Sequence, residues 1–260
     1  MIGGTSPRRR VFLGGAALLV VAVVLAAFVL TRSHRTTVTP VAQDRPGPIV
    51  LVPGYGGGVG SLEVLATRLR QTGRDVTILH LPGDGTGDLD AQADALDQVV
   101  EPLLHAGAPS VDLVGYSAGG VVVRLWVRRH DGQSKARRIV TLGSPNHGAS
   151  LASFAAAFAS GSCPAACRQL VPGSAVLDGL NSGDETPDGP QWVSLWTEGD
   201  EVVTPPDSAS LTGAVDLTVQ QVCRGHAVTH GELPADPVVE QVVARALAVA
   251  PFRAFTLPTC

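Results

Sequence analysis

Six short apolar runs, residues 49–52, 76–79, 111–114, 139–142, 192–196 and 215–222, punctuate the chain. They are rich in β-branched residues and lack strict alternation, the pattern of strands covered on both faces. Between them the apolar positions change to helical spacing. Leu62, Leu65, Ala66 and Leu69 share one helix face behind Ser61 as the expected cap. Leu89, Leu96, Val99, Val100 and Leu103 repeat with the same period from a start near Asp88, and Pro102 should kink or end that helix. Residues 121–127 read as a further helix. Residues 237–250 read as the closing one, with Asp236 as cap and Pro237 at the first helical position, where its missing amide proton is not needed. This alternation predicts an α/β fold, a mostly parallel sheet with helices on both faces. No internal repeat is present.

The amino terminus follows another pattern. Arg8, Arg9 and Arg10 precede residues 11–30, an uncharged apolar stretch that matches the thickness of a bilayer core. The expectation is a transmembrane signal anchor at 11–30, with residues 1–10 in the cytoplasm and the remainder exported. Arg32 and Arg35 weaken that charge asymmetry. A cleaved signal peptide processed near Val24 and Ala26 is the competing reading, and it would make the protein secreted. Residues 31–46, with Pro40 and Pro46 among polar residues, suit an extended linker, so the folded domain is expected at 47–260.

Composition narrows the function. The 260 residues include 19 Lys and Arg against 23 Asp and Glu, a formal net charge of −4, which offers no basic surface for nucleic acid. Four cysteines in an exported chain suit two disulfides. Three pairings exist. Cys163 and Cys167 stand four apart, within bridging reach on a helical or turn backbone, which leaves Cys223 with Cys260. Zinc is disfavoured because no second close Cys or His pair accompanies Cys163 and Cys167.

The chemistry centres on Gly115-Tyr116-Ser117-Ala118-Gly119-Gly120, set between the strand at 111–114 and the helix at 121–127. A serine on a tight strand-to-helix turn flanked by small residues exposes its hydroxyl as a nucleophile. That hydroxyl needs an imidazole to take its proton, and the imidazole needs a carboxylate to orient it. On such a fold the acid and then the base follow the serine in sequence. Asp200, in the turn after the strand at 192–196, is the expected acid, with Glu198 and Glu201 as neighbouring alternatives. Of seven histidines, only His226 and His230 follow that acid. His230, next to the closing helix, is the preferred base and His226 the alternative. Two backbone amides should hold the developing oxyanion, those of Ala118 and of Tyr55 in the glycine-rich turn 53–60. The same glycines lack the Lys-Ser or Lys-Thr of a phosphate-binding loop.

With these residues in view, the chain resembles the small bacterial lipases of the α/β-hydrolase superfamily, lipase class 2, over about residues 48–247. The likeness rests on Pro53 to Gly58, Gly115 to Gly119, Gly143-Ser144-Pro145-Asn146-His147-Gly148, Asp200 and Thr229-His230-Gly231. It implies a minimal α/β-hydrolase and carboxylic ester hydrolysis without a cofactor. Lipid or small acyl esters would be the substrates, Ser117, Asp200 and His230 the triad, and the Tyr55 and Ala118 amides the oxyanion hole. Two departures stand out: Pro53 where many relatives carry histidine, and a retained anchor where others are secreted. The alternatives are acyl transfer to an alcohol or thioester or amide cleavage on the same triad, or a catalytically silent surface domain that uses the scaffold for binding.

Three further features fall outside the triad. His147 is expected to support the rim of the site. Leu151, Phe154, Ala155 and Phe158 repeat at helical spacing, as an apolar lid or acyl-chain wall, or as an ordinary packed helix. Asp84, Asp88 and Asp90 fit a helix amino terminus better than a calcium site.

Overall fold

In a computed structural model of the chain, the described residues are 38–150 and 163–258. The expected cytoplasmic residues 1–10, the membrane span at 11–30, residues 31–37 of the linker, the apolar segment at 151–158 and Cys260 lie outside them. Among the described residues, no helix is long and apolar enough to cross a membrane.

Six strands form one sheet in the order β2-β1-β3-β4-β5-β6, and every neighbouring pair is parallel. They are β1 (Ile49–Val52), β2 (Val76–Ile78), β3 (Val111–Tyr116), β4 (Ala136–Leu142), β5 (Gln191–Trp196) and β6 (Val215–Thr218). The helices are α1 (Gly60–Arg70), α2 (Leu89–His105), α3 (Ala118–Arg129), α4 (Ala165–Gln169), α5 (Ala175–Asn181), α6 (Val219–Val222) and α7 (Pro237–Ala246).

Strand periodicity divides the apolar core between two faces. Val50, Val52, Leu113 and Ile139 pack with α2 and α3 on one side. Ile49, Leu51, Val114 and Val140 pack with α1 and α7 on the other. Both faces are covered, which is why the strands read as continuous apolar runs. The amino ends of the strands are closed by Asp112, fully buried, which accepts a bidentate pair from Arg137 at 3.0 and 2.6 Å and a further bond from Arg74 at 2.6 Å. The opposite edge is left for function. The chain runs from β1 outward to β2, returns to β3 and then proceeds the other way, so the strand order reverses between β1 and β3. Ligands of open α/β sheets sit beyond the carboxyl ends at such a reversal.

Several elements differ from their sequence expectation. Residues 215–222 are half strand and half helix, because Thr218 and Gln221 form a reciprocal capping box that starts α6. Helix α1 begins two residues early, behind Val59. Ser61 therefore lies inside the first turn, where its hydroxyl does not cap the helix. Pro102 neither ends nor stops α2, which continues to His105. The hydrogen bond lost at Pro102 is the one to the carbonyl of Gln98, an exposed residue, so no polar group is left unpaired in the core. Asp88 and Asp236 cap α2 and α7 as expected, accepting from Asp90 N and from Val238 and Val239 N. Helix α7 stops at Ala246, short of residue 250.

Candidate active site

Ser117 sits between β3 and α3 with φ 53° and ψ −127°, a conformation that side chains rarely adopt. The surrounding glycines make the turn sterically feasible. A Cβ on Gly115 would lie 2.5 Å from the Cα of Gly120, and one on Gly119 would lie 2.3 Å from the carbonyl oxygen of Val52. The Ser117 amide donates to the Leu142 carbonyl at 2.8 Å, which carries the β3–β4 ladder one residue past the strand and fixes the turn. The hydroxyl is thereby held at the carboxyl edge of a central strand, and Ser117 is only 2% exposed.

Asp200 and His230 reach this edge from different elements. Asp200 lies in the turn after β5, and its Oδ1 accepts from the amides of Val202 at 3.0 Å and Val203 at 2.7 Å. That leaves Oδ2 facing His230 Nδ1 at 2.8 Å. The other imidazole nitrogen, Nε2, is 3.0 Å from Ser117 Oγ. The three side chains form one buried hydrogen-bonded series. Because Nδ1 donates to the carboxylate, Nε2 is left as the acceptor toward the serine hydroxyl, the tautomer that proton abstraction requires.

The turn after β1 lies directly against Ser117. A Cβ on Gly54 would be 2.9 Å from Ser117 Cβ and 3.5 Å from Oγ. Gly56 and Gly57, at φ 81° and 66°, turn the chain away, with Gly57 N bonded to Gly54 O at 3.1 Å and Gly56 N to Gly85 O at 3.2 Å. Tyr55, next to Gly54, is half-buried and packs on the apolar cluster beneath α2 and α3. Ala118 opens α3, where the first amides of a helix lack intrahelical acceptors and point toward any developing negative charge.

The alternative residues are engaged elsewhere. His226 Nε2 is 2.6 Å from Asp236 Oδ2, away from Ser117. Glu201 accepts from the backbone amide of His230 at 3.2 Å, and Glu198 accepts from Thr218 Oγ1 at 3.2 Å. His147 bridges Glu185 Oε1 and the Ser208 carbonyl on the rim at 3.2 and 3.3 Å. Asp84 accepts from Thr86 in a local turn, bonds that hold its carboxyl below the usual range, and Asp90 pairs with Arg129 at 3.0 Å. Among the described residues no group of three or more potential metal ligands converges. Cys163 and Cys167 are joined. Cys223 is also disulfide-bonded, and its expected partner Cys260 lies outside the described residues.

Two residues that the sequence motifs contain without a role of their own adjoin the site. Tyr116 stacks obliquely on the His230 ring, with centroids 5.2 Å apart, and its hydroxyl donates to the His230 carbonyl at 3.1 Å. Burial, and then the nearby charges of Asp200 and Glu201, push its phenol well above its usual pKa, so it stays a donor. Gly143, after β4, packs against the Asp200–His230 pair. Its amide bonds the Leu195 carbonyl at 2.9 Å.

The same architecture is found in known proteins. Residues 47–161 match a family model described as alpha/beta hydrolase fold. Lipase B of Aspergillus fumigatus superposes with a TM-score of 0.67 at 18% identity, over 79% of this chain and 53% of that one. The mature lipase BlEst2 of Bacillus licheniformis gives 0.57 at 21% identity, over 70% of this chain and 86% of that one. The propeptide form of BlEst2 gives 0.64 at 19% identity, over 85% and 53%. The chain thus spans about half the length of the Aspergillus lipase. It has the α/β-hydrolase fold, and the solved structures it resembles include lipases.

Proposed function

We propose that the chain is a serine carboxylic ester hydrolase, a lipase or esterase, acting on lipid or other apolar acyl esters. One observation carries this reading: the buried series Ser117 Oγ, His230 Nε2, His230 Nδ1, Asp200 Oδ2, with links of 3.0 and 2.8 Å, at the strand-order reversal of an α/β-hydrolase sheet. Ser117 Oγ attacks the ester carbonyl while His230 Nε2 takes its proton. Asp200 stabilises the resulting imidazolium. The carbonyl oxygen gains negative charge and is held by the Tyr55 and Ala118 amides. His230 then returns the proton to the departing alkoxide, leaving the acyl group on Ser117. Water, deprotonated by His230, attacks that acyl-enzyme, releases the carboxylic acid and restores the serine. No cofactor enters this sequence. The lipase names of the structural relatives agree with an ester substrate.

Residues 1–10 remain in the cytoplasm, residues 11–30 tether the chain in the cell membrane, residues 31–46 act as a spacer, and the catalytic domain 47–260 faces outward. The disulfide at Cys163 and Cys167 suits an oxidising compartment.

A fluorophosphonate probe applied to the full-length protein in detergent tests the reading. Stoichiometric labelling that peptide mass spectrometry assigns to Ser117 supports it. Folded protein that takes no label, or takes it on another residue, rejects it.

A further inference from the structure

We infer that Thr197 and Gln220 form a clasp that sets the base loop against the acid loop, which makes them positioning residues for His230. The inference rests on His230 being the base proposed above. His230 and Asp200 belong to separate loops, and their 2.8 Å bond holds only while those loops keep their relative position. Thr197, at the end of β5, is fully buried. Its hydroxyl donates to the Val228 carbonyl of the base loop at 2.9 Å. The same oxygen accepts from Gly199 N at 3.2 Å in the acid loop and from Gln220 Nε2 at 3.1 Å. Gln220 completes the link. Its Nε2 also donates to the His226 carbonyl at 2.9 Å, and its Oε1 accepts from Glu198 N at 3.1 Å.

Each loop is therefore held by both side chains, on backbone groups that flank the reacting residues. Gln220 is itself fixed, because α6 is pinned by the Thr218–Gln221 capping box at one end and by the disulfide-bonded Cys223 at the other. β6 ends at Thr218, and the four helical residues that follow place Gln220 where it bonds both loops. A displacement of about 1 Å in a reacting group lowers rates by roughly a hundredfold. Neither Thr197 nor Gln220 bonds Ser117, Asp200 or His230 side chains, so their effect is positional.

The test uses Thr197→Val, which keeps the shape and removes the hydroxyl, Gln220→Ala, and the rescue variant Thr197→Ser. All are made in the full-length protein, and folding is checked by circular dichroism and thermal melting. With p-nitrophenyl butyrate as probe, Thr197→Val and Gln220→Ala should lower kcat by about 10- to 100-fold with KM within about twofold, and Thr197→Ser should stay within about threefold of the parent. A residue that only stabilises the fold would lower the melting temperature and leave kcat at 25 °C unchanged. A second readout does not depend on turnover: the downfield proton resonance of His230 Nδ1–H, bonded to Asp200, should broaden or vanish in Thr197→Val and Gln220→Ala and persist in Thr197→Ser. Folded Thr197→Val and Gln220→Ala variants with the parent's kcat or an unchanged resonance overturn the clasp. A parent that hydrolyses no ester would refute the proposed reaction instead, and the resonance alone would then decide the clasp.

Discussion

Gly143 and His230 are in such close approach that a Cβ on the glycine would lie 3.3 Å from the imidazole Nδ1, and equally 3.3 Å from Asp200 Oδ2. Gly143 also has φ 52°, a conformation that disfavours any side chain. The Leu233 methyl at 2.6 Å can rotate aside, whereas the hydrogen-bonded pair has less freedom. Gly143→Ala should therefore destabilise the fold by about 1–2 kcal/mol from the backbone alone. It should also lower kcat by more than that loss of stability explains. Denaturant melts set beside initial rates separate the two effects.

The two histidines after the acid make opposite predictions. His230→Ala removes the group at 3.0 Å from Ser117 Oγ and should reduce kcat/KM by a factor on the order of 10⁴ or more. His226→Ala removes the partner of Asp236, which still caps α7 through its other oxygen. That variant should keep activity within about tenfold of the parent and lose at most about 1–2 kcal/mol of stability. Steady-state rates on folded variants check both.

Asp200→Asn keeps the size of the acid and places an amide where the carboxylate orients Nδ1. The imidazole can then present its proton toward the serine, the wrong tautomer for abstraction. A fall in kcat on the order of 10²- to 10⁴-fold is expected, with KM nearly unchanged. The Val202 and Val203 amides can still donate to the remaining oxygen, so the fold should survive.

Tyr116 should ionise late. Burial and the charges of Asp200 and Glu201 raise its folded pKa above the ordinary value of 10.0. The unfolded chain then loses this proton at lower pH than the folded one, so stability falls as pH rises from about 10 through the folded value. An absorbance titration at 295 nm should show tyrosine ionisation coupled to unfolding, and Tyr116→Phe should lower the amplitude of that late step by one tyrosine. Tyr116→Phe should also lower kcat by a few-fold, since the hydroxyl holds the His230 carbonyl at 3.1 Å.

Much of this arrangement is legible in the sequence, for identifiable reasons. Strands covered on both faces leave apolar runs, and five of the six begin and end within three residues of the expected bounds. Ser117 is marked by its glycines, whose absent side chains are a local requirement of the turn. Asp200 and His230 follow from chain order on such a fold. The preference for His230 over His226 rested on loop position alone; the Asp236 bond that occupies His226 is a tertiary feature of the α7 cap. Residues 219–222 look strand-like because Val219 and Val222 are β-branched, and the capping signal Thr218…Gln221 outweighs them. Gly143 is legible only as part of the motif at 143–148, and the roles of Thr197 and Gln220 carry no sequence signal, because the partners of all three come from other loops. Helices α4 and α5, five and seven residues long, are too short to display a helical period.

The central claim is that Ser117 is the nucleophile of an ester hydrolase. The most direct test is hydrolysis of p-nitrophenyl butyrate by the oxidised full-length protein beside its Ser117→Ala variant. The account predicts saturable release of p-nitrophenol by the parent and a loss on the order of 10⁴-fold or more in a variant with the parent's melting temperature. Equal rates for parent and variant, or no turnover by a folded parent, would contradict it.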